Sequence, residues 1–169
     1  MLLIAGTTAL LFGPTSAGAF ELGFGLSAGG LAMGSIPRFS IAPHVALALQ
    51  APSGVRLAFH ELLGIVPHPR GAGIYSQTAA EIGYRWEKFD LNIGPSLAIY
   101  AMPVCKPDIC RHVEGVAPGV HLQGNVEIWG PVGLSVWGAM DFHLGDSSML
   151  SGKFTATLLA GPFLRWRLG

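Results

Sequence analysis

The sequence predicts an all-β protein, an eight-stranded antiparallel up-and-down transmembrane β-barrel. Three observations carry this prediction: sparse charge, the lack of a long apolar segment, and a period of two in hydrophobicity along most of the chain. Charged residues make up 12% of the 169 residues and hydrophobic residues 50%, whereas a soluble exterior carries roughly 25–35% charged residues. No apolar run of about 18 residues follows the N-terminal segment, which argues against a helical bundle in a membrane.

The N-terminal segment predicts export. Residues 1–19 are apolar and end in small residues, and residues 17–19 fit an A-x-A cleavage site before Phe20. The segment lacks the usual Lys or Arg near its start, so a buried N-terminal helix is the alternative. We expect residues 1–19 to be a cleaved signal peptide and residues 20–169 to form the barrel domain.

The second predicted strand shows the alternation most clearly. From Phe39 to Leu49 every second residue is apolar, and the residues between are small or polar, as at Ser40 and His44. A half-buried strand usually ends after about six residues, whereas about 9–11 residues cross a bilayer at a tilt. The same period of two predicts eight long strands, at residues 20–33, 38–50, 55–66, 74–87, 89–102, 115–128, 133–144 and 153–168.

The first, third and fourth strands are assigned on the same basis. Strand one lies mostly within an uncharged stretch from Leu22 to Pro37. Strand three directs His60 into the lumen and Glu61 towards lipid, and because a charge in lipid is costly, we expect a β-bulge to re-aim one of them. Strand four carries Glu81 on its lumen face.

The last four strands alternate in the same way, with apolar residues on the outer face. Four prolines fall inside predicted strands, where each removes a ladder donor; they count against the strand assignment, and bulges are one way to accommodate some of them. These prolines are Pro43, Pro95, Pro118 and Pro162. Polar lumen positions include Asp90 and Asn92 in strand five, His121 and Gln123 in strand six, Trp137 and Asp141 in strand seven, and Arg165 and Arg167 in strand eight.

The connections alternate between tight turns and longer polar loops, which is typical of barrels with turns in the periplasm and loops outside the cell. Aromatic residues gather near the tight turns, where a membrane-interface girdle is expected. They are Tyr84, Trp86, Phe89, Trp129 and Trp166. The tight connections are residues 51–54, 87–88 and 129–132, the longer ones are 67–73, 103–114 and 145–152, and the connection at 34–37 is short.

A soluble barrel of the lipocalin type, with apolar side chains inside, is the alternative architecture. The sparse charge on both faces argues against it. With lipid outside and a polar lumen, residues 20–169 resemble the small eight-stranded outer-membrane barrels of the OmpA-like and OmpX-like type. The resemblance rests on strand pattern and topology, and it implies a location in the bacterial outer membrane.

The two cysteines, Cys105 and Cys110, lie in a stretch rich in proline and charge, which we expect to be a loop rather than a strand. A short-loop disulfide is natural in an oxidising compartment. The chain has no second cysteine pair and no C-x-x-C motif, so the spacing does not indicate a zinc or redox site. The sequence therefore predicts a disulfide on the exterior.

One segment near the outer rim contains candidate catalytic residues. Small outer-membrane barrels include lipid A deacylases and palmitoyl transferases, which use His and Ser, in some cases with an acid. The matching residues here are His143, Asp146, Ser147 and Ser148, although the spacing is H-x-x-x-S rather than the H-x-S of the deacylases. A triad needs its members within hydrogen-bond reach, and a polar loop that caps a strand is the simpler interpretation.

Polar side chains on the lumen faces form a second set of candidates. They could bind a metal or respond to protons, but buried polar groups must be paired, and no compact ligand motif unites them. We therefore expect an internal hydrogen-bond network with no metal and no cofactor. At mid-depth the expected registers put His44 opposite His60, Glu81 beside Ser96, Ser96 near His121, and His121 opposite Asp141. Arg56, Arg85, Glu127 and Arg165 are expected nearer the periplasmic end.

The predicted function is structural, adhesive or partner-binding, through the exterior loops at 67–73, 103–114 and 145–152, with outer-membrane lipid around the barrel. Side chains just fill an eight-stranded barrel, which excludes a wide pore. Ten basic and ten acidic residues give no electrostatic case for nucleic acid. A lipid-modifying enzyme and a narrow solute conduit are the alternatives.

Overall fold

The computed structural model describes residues 18–33, 36–106, 109–144 and 154–168. They form a closed antiparallel barrel in which each strand pairs with its chain neighbours and the last pairs with the first, so the predicted fold class is confirmed. Within these ranges no helix is long and apolar enough to cross a membrane. The strands are β1 (Ala19–Met33), β2 (Ile36–Gln50), β3 (Val55–Val66), β4 (Gly73–Trp86), β5 (Phe89–Lys106), β6 (Ile109–Trp129), β7 (Val132–Phe142) and β8 (Phe154–Leu168).

Closure gives the barrel a fixed stagger. A path through paired residues that leaves β1 at Gly23 and runs once round the barrel returns to β1 at Met33, ten residues further on. In hydrocarbon every backbone N–H and C=O must find a partner within the protein, and a closed staggered ladder provides it without an edge. The number of strands and the stagger together set the width of the lumen.

The two faces of the barrel have opposite character. Bulky apolar side chains cover the outside, where Phe39 is 55% exposed, while polar side chains such as Glu21 are buried in the lumen at 1% exposed. This is the predicted arrangement, apolar outside and polar inside, and it is the reverse of a soluble lipocalin-type barrel.

The predicted aromatic girdle lies at the tight-turn end, on the outer face. Trp86 contacts Tyr84 with ring centroids 4.8 Å apart and Phe89 with centroids 5.8 Å apart, and Trp166 packs against Phe24 at 5.9 Å. Glu87, in the two-residue turn between β4 and β5, has a positive φ of 46°, which is the conformation that tight hairpin turns require.

The strand prolines interrupt the ladder locally instead of forming bulges. Pairing skips two residue pairs beside Pro43, Pro95 and Pro162 and then resumes in the same register. Pro118 lies just beyond the point where β6 begins to pair with β7, at Gly119. Among the described pairs the register shift lies elsewhere, next to the β6–β7 turn. Bulges are not needed at these prolines in the described pairs, because a skipped pair removes the need for the missing donor.

Two of the interruptions bring neighbouring backbones close together at a glycine that precedes the proline. A Cβ on Gly94 would lie 1.9 Å from the carbonyl oxygen of Ala80, and a Cβ on Gly161 would lie 2.0 Å from that of Leu26. Because backbone atoms cannot rotate away, only glycine fits at these positions.

We predict that Gly94→Ala lowers the free energy of unfolding by about 1–3 kcal/mol, because the added methyl meets backbone. Gly124→Ala is the matched control, since a Cβ there meets only side-chain atoms 4.0 Å away. Urea unfolding of the purified barrel in detergent micelles measures both variants. Equal unfolding midpoints for the two variants would contradict the close contact at Gly94.

The expected exterior loop at residues 103–114 is wrong over most of its length. β5 continues to Lys106 and β6 begins at Ile109, and the two strands pair throughout. Pairing of β5 with β4 ends at Ala101, so the extension has an unpaired edge, and strands with an unpaired edge tolerate proline. A high content of proline and charge therefore did not exclude a strand here.

Glu61 lies on the lipid-facing side, and the expected bulge is absent from this part of the described barrel. Pairing between β3 and β4 runs without interruption from Val55 to Val66. Ser76 and Thr78, on the same face of β4, donate their hydroxyls to the carboxylate of Glu61. These hydrogen bonds replace part of the solvation that a carboxylate loses outside water.

Candidate functional site: the lumen and the external rim

Side chains fill the lumen in three layers, each of a different chemical kind. The ion cluster, near the tight turns, consists of Glu21, Arg56, Arg85, Asp90, Glu127, Arg165 and Arg167. The ring belt, at mid-depth, consists of His44, His60, His121 and Trp137 together with Glu81. The apolar plug, towards the exterior, consists of Leu31, Met33, Leu62, Val66, Tyr75, Tyr100, Met102 and Leu159.

The ion cluster closes the tight-turn end of the barrel with interlocking ion pairs. Arg56 donates to Glu21 and to Asp90, at 2.6 Å in each case. Arg165 reaches the other oxygen of Asp90 at 2.6 Å, and Arg85 lies 3.2 Å from Glu21. Each carboxylate is shared between guanidinium groups, which is how buried charges recover the solvation that they lose.

Three members of the ion cluster were not among the predicted site residues: Glu21, Asp90 and Arg167. The period of two had already put Asp90 and Arg167 on the polar faces of their strands. What the sequence could not supply was the contact across the lumen, because these residues lie on strands far apart in the chain, such as β1 and β5.

We predict that Arg56→Met lowers the free energy of unfolding by about 3–5 kcal/mol, because it leaves two buried carboxylates short of a partner. Arg167→Met is the control: its side chain is 49% exposed, and exposed ion pairs contribute about 0–1 kcal/mol. Urea titration of the folded barrel, followed by tryptophan fluorescence, compares them. A similar loss in both variants would argue against a special role for the buried pairs.

The ring belt is organised around Trp137. The indole stacks on His60 with centroids 4.8 Å apart and meets His44 and His121 edge-on at 4.9 and 5.3 Å. Its Nε1 donates to Ser27 Oγ at 3.1 Å. One aromatic side chain therefore holds three imidazole rings from β2, β3 and β6, a role that the sequence analysis did not assign to it.

Glu81 and His121 form the polar contact of the ring belt, through Glu81 Oε1 and His121 Nδ1. Asp141 belongs to a different group, because Gln77 donates to it at 2.7 Å and Ser96 at 3.0 Å. The expected belt of three histidines and two acids is thus divided, and Asp141 is satisfied by neutral donors.

The observed registers between neighbouring strands differ by two residues from the expected ones, which is the uncertainty that alternation leaves. A shift of two keeps a side chain on the same face, so the histidines still point inward and their rings still meet. The observed partners are Leu62 for His44, Ala46 for His60, Ala79 for Ser96, Gly94 for His121, and Gly119 for Asp141.

Within the described part of the chain the lumen contains no passage for a solute. One lumen cavity, between the ring belt and the ion cluster, measures about 20 Å³, and another, beside the apolar plug, measures about 10 Å³. A cavity of about 10–15 Å³ holds one water molecule. Space of this size does not support the narrow-conduit alternative.

His143 lies at the rim opposite the tight turns, just after β7. Its Nδ1 hydrogen-bonds with the hydroxyl of Tyr100 and its Nε2 with that of Thr155, both at 2.7 Å. Partial burial lowers the pKa of His143. Both ring nitrogens are therefore already engaged, and the other catalytic candidates, Asp146, Ser147 and Ser148, lie outside the described residues.

No protein-family model matches this chain, and no curated protein matches it. Several solved structures, however, are similar to this chain. The Neisserial surface protein NspA superposes with a TM-score of 0.56 at 11% identity, over 87% of this chain and 97% of that chain. The N-terminal β-barrel domain of Pseudomonas aeruginosa OprF gives 0.59 at 10% identity, over 88% and 99%. The attachment invasion locus protein Ail of Yersinia pestis gives 0.60 at 8% identity, over 89% and 100%.

These structures are small eight-stranded outer-membrane barrels. The resemblance that the strand pattern predicts is therefore confirmed, and at these identities the likeness concerns the fold. The chain has the fold of the small eight-stranded outer-membrane barrels.

Proposed function

We propose that this chain is an exported outer-membrane barrel that presents a rigid hairpin, formed by β5 and β6, to a binding partner outside the cell. The observation that carries the proposal is the projection of this hairpin from a barrel whose described lumen is filled. A filled lumen does not favour transport. Loops on a rigid scaffold commonly carry function, so the exterior surface is the better candidate.

Outer-membrane insertion is supported by the apolar outer face and by the shared fold. A barrel of this kind reaches its membrane through the periplasm, so the proposal includes export by a signal peptide at residues 1–19. Residues 1–17 lie outside the described residues, and cleavage after residue 19 stays a prediction.

The β5–β6 hairpin extends beyond the strands on either side. β5 leaves β4 at Ala101, and the pairing of β6 with β7 ends at Gly119 with one further backbone hydrogen bond from Leu144 N–H to the carbonyl oxygen of Val116. The two strands pair with each other as far as Lys106 and Ile109. A paired hairpin loses less conformational entropy on binding than a flexible loop does, which favours recognition by this element.

Two arginines from neighbouring segments contact the hairpin. Arg38 of β2 donates to the carbonyl oxygen of Pro103 at 2.7 Å, and Arg70 donates to Cys110 Sγ at 3.1 Å. The connection at 67–73 is thereby drawn to the side of the hairpin. A partner that contacts the tip would meet both segments as one surface.

The hairpin also concentrates charge. Lys106, Asp108, Arg111 and Glu114 fall within nine residues of a chain that carries only twenty charged residues, and Arg111 is exposed. Charged side chains above the membrane remain in water and suit a protein or glycan partner. Among the solved structures with this fold, Ail is described in complex with the heparin analogue sucrose octasulfate.

The proposed disulfide joins Cys105 and Cys110, which are directly opposite each other in the β5–β6 pairing. Cα atoms of opposing residues in an antiparallel pair lie about 4.5–5.5 Å apart, within the range that a disulfide spans. An exported chain meets an oxidising compartment. We expect the bond to hold the two strands together near the hairpin tip.

We predict that the purified exported protein has a mass two hydrogens below that of the dithiol form. Intact-mass measurement before and after reduction tests this. Thiol labelling without reduction should modify neither Cys105 nor Cys110. Full labelling of both residues in unreduced, folded protein would refute the disulfide.

The partner-binding proposal is tested by replacing residues 104–111 with a two-residue Asn-Gly turn, which favours hairpin closure. We predict that the shortened protein still shows the gel shift between folded and boiled forms and still fractionates with outer membranes. Attachment of expressing cells to host cells or immobilised matrix should fall to the level of cells that lack the protein.

Gly30→Ala serves as the control for expression and handling, since a Cβ there meets nothing within 4 Å. Unchanged attachment by the shortened protein would exclude the hairpin as the binding element. Attachment equal to background for the unaltered protein would exclude an adhesive role altogether.

A further inference from the structure

Three side chains of the ring belt bring potential metal-ligand atoms close together, and most of these atoms have no hydrogen-bond partner. We propose that His60, Glu81 and His121 bind a divalent first-row transition metal ion, most simply zinc, inside the barrel. This metal site does not depend on the proposed exterior function, and its test is independent of that function.

The geometry begins with proximity. His60 comes from β3, Glu81 from β4 and His121 from β6, and one ligand atom from each lies within 4.8 Å of the other two. The residues are between 1% and 4% exposed. The period of two directs each of them inward, and the stagger of the barrel brings them to one depth.

The second observation is that most of the polar atoms in this group have no partner. Both ring nitrogens of His60, Oε2 of Glu81 and Nε2 of His121 are buried without a hydrogen bond. A buried polar group in this state has lost its hydration without a replacement partner. A shared ion takes one atom from each residue, so it would engage three of these four atoms.

The donor set has the chemistry of a metal site. Two imidazoles and one carboxylate bind zinc at about 2.0–2.2 Å in known sites and leave one tetrahedral position open. Two ligands at that distance lie about 3.3 Å apart in a tetrahedron, so the side chains would move inward by about 1 Å to close on the ion. Imidazole also suits copper, nickel and iron.

The surroundings hold the ligand rings in position. Trp137 stacks on His60 and meets His121 edge-on, which limits rotation of both rings. His44 lies beside His60, with centroids 5.3 Å apart, and its Nδ1 faces Ser27 Oγ at 3.5 Å. This packing restricts the orientation of the His60 and His121 rings.

The charge balance also favours a cation. In the described lumen the ion pair of Glu81 is with His121, whose imidazole must be neutral to ligate a metal. Arg56, four residues before His60 on the same face of β3, forms ion pairs with Glu21 and Asp90. A divalent ion bound by Glu81 and the two imidazoles would compensate the charge of this buried carboxylate.

The expectation of no metal, drawn from the sequence, rested on the lack of a compact ligand motif. A barrel assembles its ligands from separate strands, so such a motif is not required. Because packed layers enclose the site, the ion would enter while the chain folds, and later exchange would be slow. Metal binding coupled to folding is well known for structural sites.

The test uses the full chain refolded from urea into detergent micelles, either with added zinc or with zinc supplied only after folding. Chelator and gel filtration remove loosely held metal before mass spectrometry counts the ions. We expect about one zinc per folded chain after refolding with zinc, and at least tenfold less when zinc follows folding.

Glu81→Gln and His121→Gln should each lower zinc retention at least tenfold, since each removes a ligand. His112→Gln is the control, because this histidine is exposed on the hairpin and its loss should change nothing. The gel shift between folded and boiled forms restricts the comparison to folded protein. If His121→Gln does not fold, the nearly isosteric Glu81→Gln decides.

Refolding with cobalt supplies a second readout, because inner-sphere nitrogen and oxygen ligands produce visible absorption bands in a four-coordinate site. Bands in the unaltered protein that are lost in Glu81→Gln support the proposal. Folded unaltered protein without zinc and without these bands would overturn it, as would undiminished zinc in both ligand variants. In either case the three residues would be a hydrogen-bonded network completed by water.

Discussion

Backbone pairing in a medium without water is the constraint on which the rest of this structure depends. Each peptide group within the membrane must bond to a neighbouring strand, so the eight strands close on themselves and leave no edge. Closure with a stagger of ten residues, from Gly23 to Met33, sets the lumen width. Beside three of the strand prolines the pairing skips two residue pairs and then resumes in the same register.

The inward-facing side chains must then fill a lumen of fixed width, and each of the three layers fills it with different chemistry. The ion cluster shares three carboxylates among four guanidinium groups, the ring belt packs imidazoles on Trp137, and the apolar plug behaves as an ordinary core. The barrel becomes a rigid support in this way, and the β5–β6 hairpin continues two of its walls beyond the ends of the neighbouring strands.

Much of the fold could be predicted from the sequence because a period of two is a local property. The β3 strand was predicted with its observed bounds, residues 55–66, and the lumen positions of His60, Glu81 and His121 followed from alternation. The extension of β5 and β6 through residues 103–114 could not be predicted, because an unpaired edge that tolerates Pro103 exists only once the ends of β4 and β7 are known. Glu61 was misjudged for a similar reason, since its hydroxyl partners belong to another strand.

The sequence by itself determined the strand count, the inward and outward faces and the apolar surface, because alternation, turns and composition act between near neighbours in the chain. Only the tertiary structure decided the register, and with it which polar groups meet across the lumen. A shift of two residues leaves every face unchanged, so the pattern alone cannot distinguish His60 opposite His44 from His60 opposite Ala46. The stagger of the closed barrel makes that choice, and it brings Glu81 to His121 while leaving Asp141 to Gln77 and Ser96.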